Sequence, residues 1–414
     1  MIIEPLIYIS IYLGLFVMVF YILSYFGKPP KNFKQIPDSK LPKVSIIVPA
    51  WNEEAGIVKT IKSLLRIDYP KDKLEIIVVD DGSSDKTYEE ALKYKSSQVQ
   101  VFKKKENGGK FTALNFGIER AKGEFIISTD ADNLEVMPDA VKHMVRYFEN
   151  PSVMCVAPAM AISNPKGILA RIQQVEYLLG VFLRRAFASV NAIHVTPGAF
   201  SAYRKSFVLK TGGFKRAHLT EDMEMALRVQ KHNYVIENSL NAVIYTIALT
   251  KFRPLLIQRR RWYVGLIRNL WDYRLLFSPK YGIMGILVLP MAVWAIFTSI
   301  VFSIYVLYKA FSQAKRQAIL MNSINFDIFH INTNSFIFEQ LWLKFSTTPL
   351  LIFTILFIII LFGYMLFAKK WVKKHSNVKY SLILFLIFYS FLACIWWIDS
   401  IIHSTLRYKK LKWR

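Results

Sequence analysis

Four apolar stretches, each long enough to cross a bilayer, constrain this chain more than any other feature. A crossing needs about 20 apolar residues in helical form. Residues 6–26, 283–311, 347–368 and 380–402 meet that length, and Pro290 in the second stretch marks a kink. The first stretch has neither a basic start nor a small-residue cleavage site, so it reads as an anchor and not as a signal peptide. Of the 414 residues 53% are hydrophobic, gathered in long blocks towards the two ends. That composition excludes a disordered chain and a small disulfide scaffold, and the blocks argue against a plain soluble enzyme. Cys155 and Cys394 are far apart in apolar surroundings and read as buried small hydrophobes.

Charge supports the membrane reading. Lys plus Arg number 54 against 29 Asp plus Glu, a net +25 that calls for an anionic partner. Residues 251–280 hold eight basic side chains and one acidic, and residues 369–379 and 407–414 hold five basic each and no acidic ones. Each block borders an apolar segment, where basic residues anchor and orient a membrane protein. No basic face stands apart on the remainder, which argues against nucleic acid. Basic residues within 28–34, 259–261 and 369–374 all fall on the cytoplasmic side if the amino terminus lies outside, so the middle of the chain is expected in the cytoplasm. Four crossings then leave residues 407–414 outside, against the same rule. Either the fourth segment is re-entrant or the tail is an exception.

Between residues 43 and 246 the texture changes. Short apolar runs at 44–48, 75–79, 99–102 and 124–128 alternate with helical patterns at 55–66, 85–95 and 110–121. The alternation predicts an α/β fold, a mostly parallel sheet with flanking helices, whose ligands sit at the carboxyl ends of strands. Polar clusters fall at those ends: Asn52-Glu53-Glu54, Asp80-Asp81-Gly82-Ser83 and Asp130-Ala131-Asp132. No G-x-G-x-x-G follows a strand, and Asn107-Gly108-Gly109-Lys110 lacks the remaining P-loop residues, so dinucleotide and P-loop readings are weak.

Each motif has a bland reading beside a chemical one. Asp130 and Asp132 are either a turn-forming pair or, pointing the same way from a strand end, ligands of a divalent cation completed by phosphates. Asp80 and Asp81 precede a helix start that Ser84 or Asp85 would cap, yet two carboxylates exceed what capping requires and suit a base N–H and ribose hydroxyls. Thr220-Glu221-Asp222 is an ordinary capped helix start, or it presents a general base to a sugar hydroxyl. Gln258-Arg259-Arg260-Arg261-Trp262 lies on an amphipathic helix suited to the membrane surface, and it also offers an amide, a diphosphate fork and a flat ring. A second amphipathic stretch, residues 168–187, is assigned to membrane-surface packing.

These clusters, in this order between membrane segments, resemble the membrane-embedded family-2 glycosyltransferases: cellulose, hyaluronan, chitin and poly-N-acetylglucosamine synthases. The resemblance covers about residues 43–271. It implies a GT-A fold and a nucleotide-sugar donor, UDP-N-acetylglucosamine or UDP-glucose. It implies that Pro49, Glu53, Asp80 and Asp81 hold base and ribose and that Lys110 sits near the nucleotide. Asp130 and Asp132 would engage ribose, diphosphate and Mg2+ or Mn2+, Asp132 being the better metal ligand. Asp222, with Glu221 beside it, would be the general base, Gln258 and Arg261 the diphosphate clamp, and Trp262 the platform under the acceptor sugar. Residues 198–204 match the family's acceptor side only loosely. The expected organisation is an anchor at 1–30, a cytoplasmic catalytic domain at 41–248, an interfacial helix at 249–280 and a membrane region at 281–414.

Three functions fit these expectations. The first is a processive, inverting β-glycan synthase in the cell membrane. The second transfers one sugar to a lipid acceptor, since the best-known cellulose synthases have more crossings than four, and an accessory subunit or homo-oligomer would have to complete a channel. The third, a non-catalytic membrane subunit, does not need the acidic motifs.

Overall fold

The computed structural model describes residues 3–323 and 349–405, apart from residues 30, 32, 34, 35, 133, 134, 164 and 373–377. The basic tail at 407–414 and parts of the basic stretches at 28–34 and 369–379 lie outside the described residues. The chain divides into two compact units, residues 1–20 with 291–364 and residues 21–290 with 365–414.

The second unit is organised by an eight-stranded sheet in the order β3-β2-β1-β4-β7-β6-β8-β5. Its strands are β1 (Val44–Ala50), β2 (Leu74–Asp80), β3 (Val99–Lys103), β4 (Phe125–Ser128), β5 (Glu135–Val136), β6 (Val153–Ile162), β7 (Ser201–Arg204) and β8 (Val235–Thr246). The pairs β1–β2, β1–β4, β2–β3 and β6–β8 are parallel, whereas β7 runs antiparallel to β4 and β6. Every residue of β1 is buried, as a strand covered on both faces requires. The four strands expected from the sequence are present, as are helices α2 (Ile57–Leu64), α3 (Thr87–Leu92) and α4 (Lys110–Arg120) between them. Helices α5 (Ala140–Val145), α6 (Ile168–Ser189), α7 (Lys205–Lys210), α8 (Glu221–Lys231) and α9 (Phe252–Asp272) complete the layers. The sheet separates two apolar clusters, with Ile46, Val48 and Ile76 on one face and Ile47, Ile77 and Val79 on the other. That alternation follows from the period of two along a strand. β1 lies between β2 and β4, so the crossovers leave it in opposite directions and open a crevice at its carboxyl end.

Among the described residues four helices are long and apolar enough to cross a membrane: α1 (Ile3–Gly27), α10 (Leu289–Ser323), α11 (Pro349–Trp371) and α12 (Val378–Thr405). The irregularity expected at Pro290 takes the form of a π-helical turn, Met284–Val288, leading into α10. Proline has no N–H for the preceding turn, and the wider π turn accommodates it. Within the first unit the Tyr364 hydroxyl donates to the Met18 carbonyl at 2.6 Å.

The helix at 168–187 is more than a surface layer. Half of α6 is buried, including Arg185, which is 1% exposed and donates to the carbonyl of Pro29 at 3.0 Å.

Candidate functional site

The loops after β1 and β2 are fastened to each other. Asn52 takes a left-handed backbone, φ 54°, and its N–H donates to Ser83 Oγ at 2.9 Å. Its Oδ1 accepts from the Ser84 N–H at 3.0 Å, and the Glu53 N–H donates to Thr87 Oγ1 at 2.8 Å. Pro49 lies on β1 opposite Val79 of β2, one residue before the crevice. Asp80 is fully buried, and its Oδ1 has no hydrogen-bond partner among the described residues. Burial holds its carboxyl above the ordinary range.

Asp81 has a different task from its neighbour. Its Oδ2 accepts from the Gly109 N–H at 2.7 Å, its Oδ1 from the Gly108 N–H at 3.3 Å, and Lys104 pairs with it. The carboxylate thus pins the Gly108-Gly109 turn from which α4 starts, and Lys110 is the first residue of that helix. Gly109 has φ 91°, a conformation open to glycine and strained for other residues.

Lys110 gathers the motifs. Its Nζ lies 2.6 Å from Asp130 Oδ1 and 3.4 Å from Glu221 Oε1. Burial alone would lower its pKa, but the charges of Asp130, Glu221 and Asp222 outweigh that and raise it, so the ammonium stays charged. Asp222 stands beside it, its Oδ1 accepting from the Met223 N–H at 2.9 Å. Burial first, and then the charge of Glu221, push its carboxyl up to about 6, with Lys110 opposing. Gly198 closes over this group, because a Cβ there would lie 2.9 Å from Asp222 Oδ2 and 3.3 Å from Lys110 Nζ.

The cap expected of Thr220 does not form, as its side chain makes no capping bond to α8. Its Oγ1 instead accepts from Asn269 Nδ2 of α9 at 2.8 Å. Gly265 of α9 comes so close that a Cβ would lie 2.3 Å from Thr220 Oγ1. Gln258, Arg261, Trp262 and Gly265 are spaced at seven, four and three residues and share a helix face. The contact at Gly265 therefore aims that face towards the residues that begin α8. Gly265→Ala is expected to push α9 off Thr220, costing about 1–3 kcal/mol as overpacking does. Thermal melts of the variant check this.

The two middle arginines of the motif face elsewhere. Arg259 donates to Glu176 of α6 at 2.6 Å, with its guanidinium 4.3 Å from the Trp262 ring. Arg260 forms a two-pronged pair with Asp399 of α12 at 2.6 and 2.9 Å. Gln258 Oε1 is buried without a hydrogen-bond partner among the described residues.

Asp132 is exposed and follows Ala131, whose carbonyl accepts from Thr60 Oγ1 at 3.0 Å. A Cβ on Gly56 would lie 3.3 Å from Asp132 Cα and 3.4 Å from Glu53 Oε2, so Glu53 and Asp132 border one space. Among the described residues no three His, Cys, Asp or Glu side chains gather as a metal-binding group. Asp130 and Asp132 alone match the donor set of a hard cation bound by one or two carboxylates and completed by substrate phosphates and water, and not that of a closed structural site.

Sequence reasoning passed over Glu176 and Asp399 and gave Gly198 only a loose match. Asp399 carried a usable signal, as the single acidic residue of an otherwise apolar 28-residue helix.

Residues 45–212 match the family model described as glycosyl transferase family 2. The poly-beta-1,6-N-acetyl-D-glucosamine synthase of Staphylococcus epidermidis is 31% identical over 237 residues, 55% of this chain and 57% of that protein. The synthase of the same name from Staphylococcus aureus strain COL is 29% identical over 268 residues, 63% of this chain and 64% of its own. The chain thus spans less than two thirds of the length of these curated relatives. A mannosyltransferase from Pyrobaculum calidifontis, solved in complex with GDP-Man and Mn2+, superposes with a TM-score of 0.52 at 23% identity, covering 64% of this chain and 74% of that one. At that identity the likeness concerns the fold. Residues 45–212 are thus similar to glycosyl transferase family 2, in a chain that joins a GT-A-type sheet to helices fit to cross a membrane.

Proposed function

We propose that the chain is a membrane-bound, inverting glycosyltransferase that moves N-acetylglucosamine from its UDP ester to the end of a growing β-linked glycan. The observation that carries the reading is the meeting of Asp130, Glu221 and Asp222 around Lys110 at the crevice of a family-2 domain. The names of the relatives favour N-acetylglucosamine over glucose as the donor sugar. The proposed organisation is an anchor at 1–30, a catalytic domain at 41–248 on the cytoplasmic side, an interfacial helix at 249–280 and a multi-pass region beyond.

In this reading Pro49, Glu53 and Asp80 line the nucleoside end, and Asp81 holds the Gly108-Gly109 turn that presents Lys110. Asp222 accepts the proton of the acceptor hydroxyl, and its raised pKa suits a base working near neutrality. The acceptor oxygen then attacks the anomeric carbon from the face opposite the diphosphate. That bond breaks with its electron pair on the departing UDP, and the configuration inverts. Gln258 and Arg261 hold the diphosphate, and Arg261 stabilises the charge that grows on it. Trp262 gives the acceptor sugar a flat apolar face. Asp130 and Asp132 would hold Mg2+ or Mn2+, which when bound adds charge neutralisation at the diphosphate.

The test is a donor screen by UDP release in nanodiscs, with sizing of the product. UDP-N-acetylglucosamine with Mn2+ is expected to give a high-molecular-weight glycan. A product that stops at one sugar on a lipid would overturn chain extension and leave the site chemistry standing.

A further inference from the structure

We infer that α12 does not cross the membrane but lies lengthwise in its surface on the catalytic side, with one face on α6 and α9 and the other in the lipid. Length and composition alone class this helix with the crossing ones. Its partners say otherwise, and they occur from one end to the other. Near its start Tyr380 lies against Arg171 at 5.1 Å, and Ser381 donates to Gln174 at 2.7 Å, both on α6. In its middle Tyr389 hydrogen-bonds Glu176, again on α6. Further on, Trp397 stacks on Tyr263 of α9 with ring centroids 4.2 Å apart, and Asp399 holds Arg260. Near its end the carbonyl of Ser404 accepts from Arg268. From Ser381 to Ser404 a helix advances about 35 Å, more than the roughly 30 Å of bilayer hydrocarbon.

Both supports stay on the catalytic side. Helix α6 links β6 to β7, and those strands pair directly in the central sheet. A single crossing by α6 would put the two strands on opposite sides of the membrane, so α6 does not cross. The second half of α9 is held to α8 through Gly265 and Asn269. With Ser381 tied to α6 and Ser404 tied to α9, both ends of α12 are on the catalytic side.

The opposite face of α12 carries Ile383, Ile387, Phe391, Ile395 and Ile402, all exposed at helical spacing. Lipid is the partner this stripe fits. In sequence the helix is followed directly by the basic run 407–414, which complements an anionic leaflet. The count of crossings falls from four to three, and the basic tail returns to the side of the other basic flanks. The conflict with the charge rule that the sequence raises is thereby removed.

The inference is independent of which sugar the enzyme transfers. It is tested in a Cys155→Ala, Cys394→Ala background bearing Lys410→Cys, with Lys95→Cys as the catalytic-side reference. A membrane-impermeant maleimide is applied to sealed vesicles of each orientation. Both cysteines are expected to react from the same side, and labelling of residue 410 from the opposite side overturns the inference. On the otherwise unaltered chain with a carboxyl-terminal epitope, trypsin should remove the epitope only where it also cuts the catalytic domain. Nitroxides at Ile383→Cys, Phe391→Cys and Ile402→Cys should report one shallow depth by oxygen and nickel collision. A depth maximum at residue 391 between two shallow ends overturns it.

Discussion

Asp222→Asn is expected to lower turnover about a hundred- to ten-thousand-fold, the range for loss of a general base, while leaving the folded protein as stable as before or more so above pH 6. The two effects share one cause. Burial pushes the Asp222 carboxyl from its ordinary 3.8 up to about 6, and Glu221 adds to that. The folded state therefore holds this proton up to about pH 6, while the unfolded state releases it near the ordinary value. Between those limits the folded state binds more protons, so this group's contribution to stability falls as pH rises, and above pH 6 the whole cost is present. Asparagine keeps the shape and removes the charge. Melting curves at pH 4 and pH 7.5 should show the variant gaining more on the wild type at the higher pH, with the gain growing between those values and level above about pH 6. For the wild type, kcat/KM should fall as pH drops through about 6, since the base is then protonated. Unchanged UDP release by the variant would remove Asp222 from the chemistry.

The crevice was legible in the sequence because it is made by the most regular part of the fold. Short buried strands alternating with helices announce parallel pairing, and the polar clusters at 52–54, 80–83 and 130–132 stand at the carboxyl ends of β1, β2 and β4. What local pattern could not supply is which side chain answers which. Asp80 and Asp81 are neighbours in sequence and look alike. Yet both are buried, and Asp80 keeps an oxygen without a partner among the described residues while Asp81 takes the N–H groups of Gly108 and Gly109. Thr220 has the right type and place for a cap, but Asn269, 49 residues later, supplies a closer partner. The three arginines at 259–261 read as one basic cluster, and only the 100° turn per residue of a helix separates them into a pair with α6, a pair with α12 and a side chain on the face of Gly265. Helix α12, whose fourth-segment reading the sequence leaves open between a crossing and a re-entrant course, is the opposite case. Its composition is that of a span, and only its partners along the whole length carry the inference that it lies in the surface.

Lys110→Met should be the most damaging single change at the crevice, and it fails differently from Asp222→Asn. The ammonium is the shared counter-charge of Asp130 and Glu221 at 2.6 and 3.4 Å, with Asp222 adjacent. Methionine keeps the length and apolar stem but leaves buried carboxylates facing one another. Breaking a buried pair in this way costs about 3–5 kcal/mol. The lower end is expected here, because Asp130 keeps 34% of its side chain in contact with solvent. The sign of the catalytic effect follows from the same charges. Lys110 lowers the pKa of Asp222, so its loss raises that pKa further and moves the acid limb of kcat/KM to higher pH. Lys110→Arg restores the charge on a longer, planar head, so the limb should return towards its wild-type position even where the packing is imperfect. Melting curves and pH–rate profiles of both variants separate the roles. If Lys110 only braces the fold, the methionine variant will be unstable with its acid limb in place; if it sets the proton affinity of the base, the limb moves with the charge and comes back with arginine.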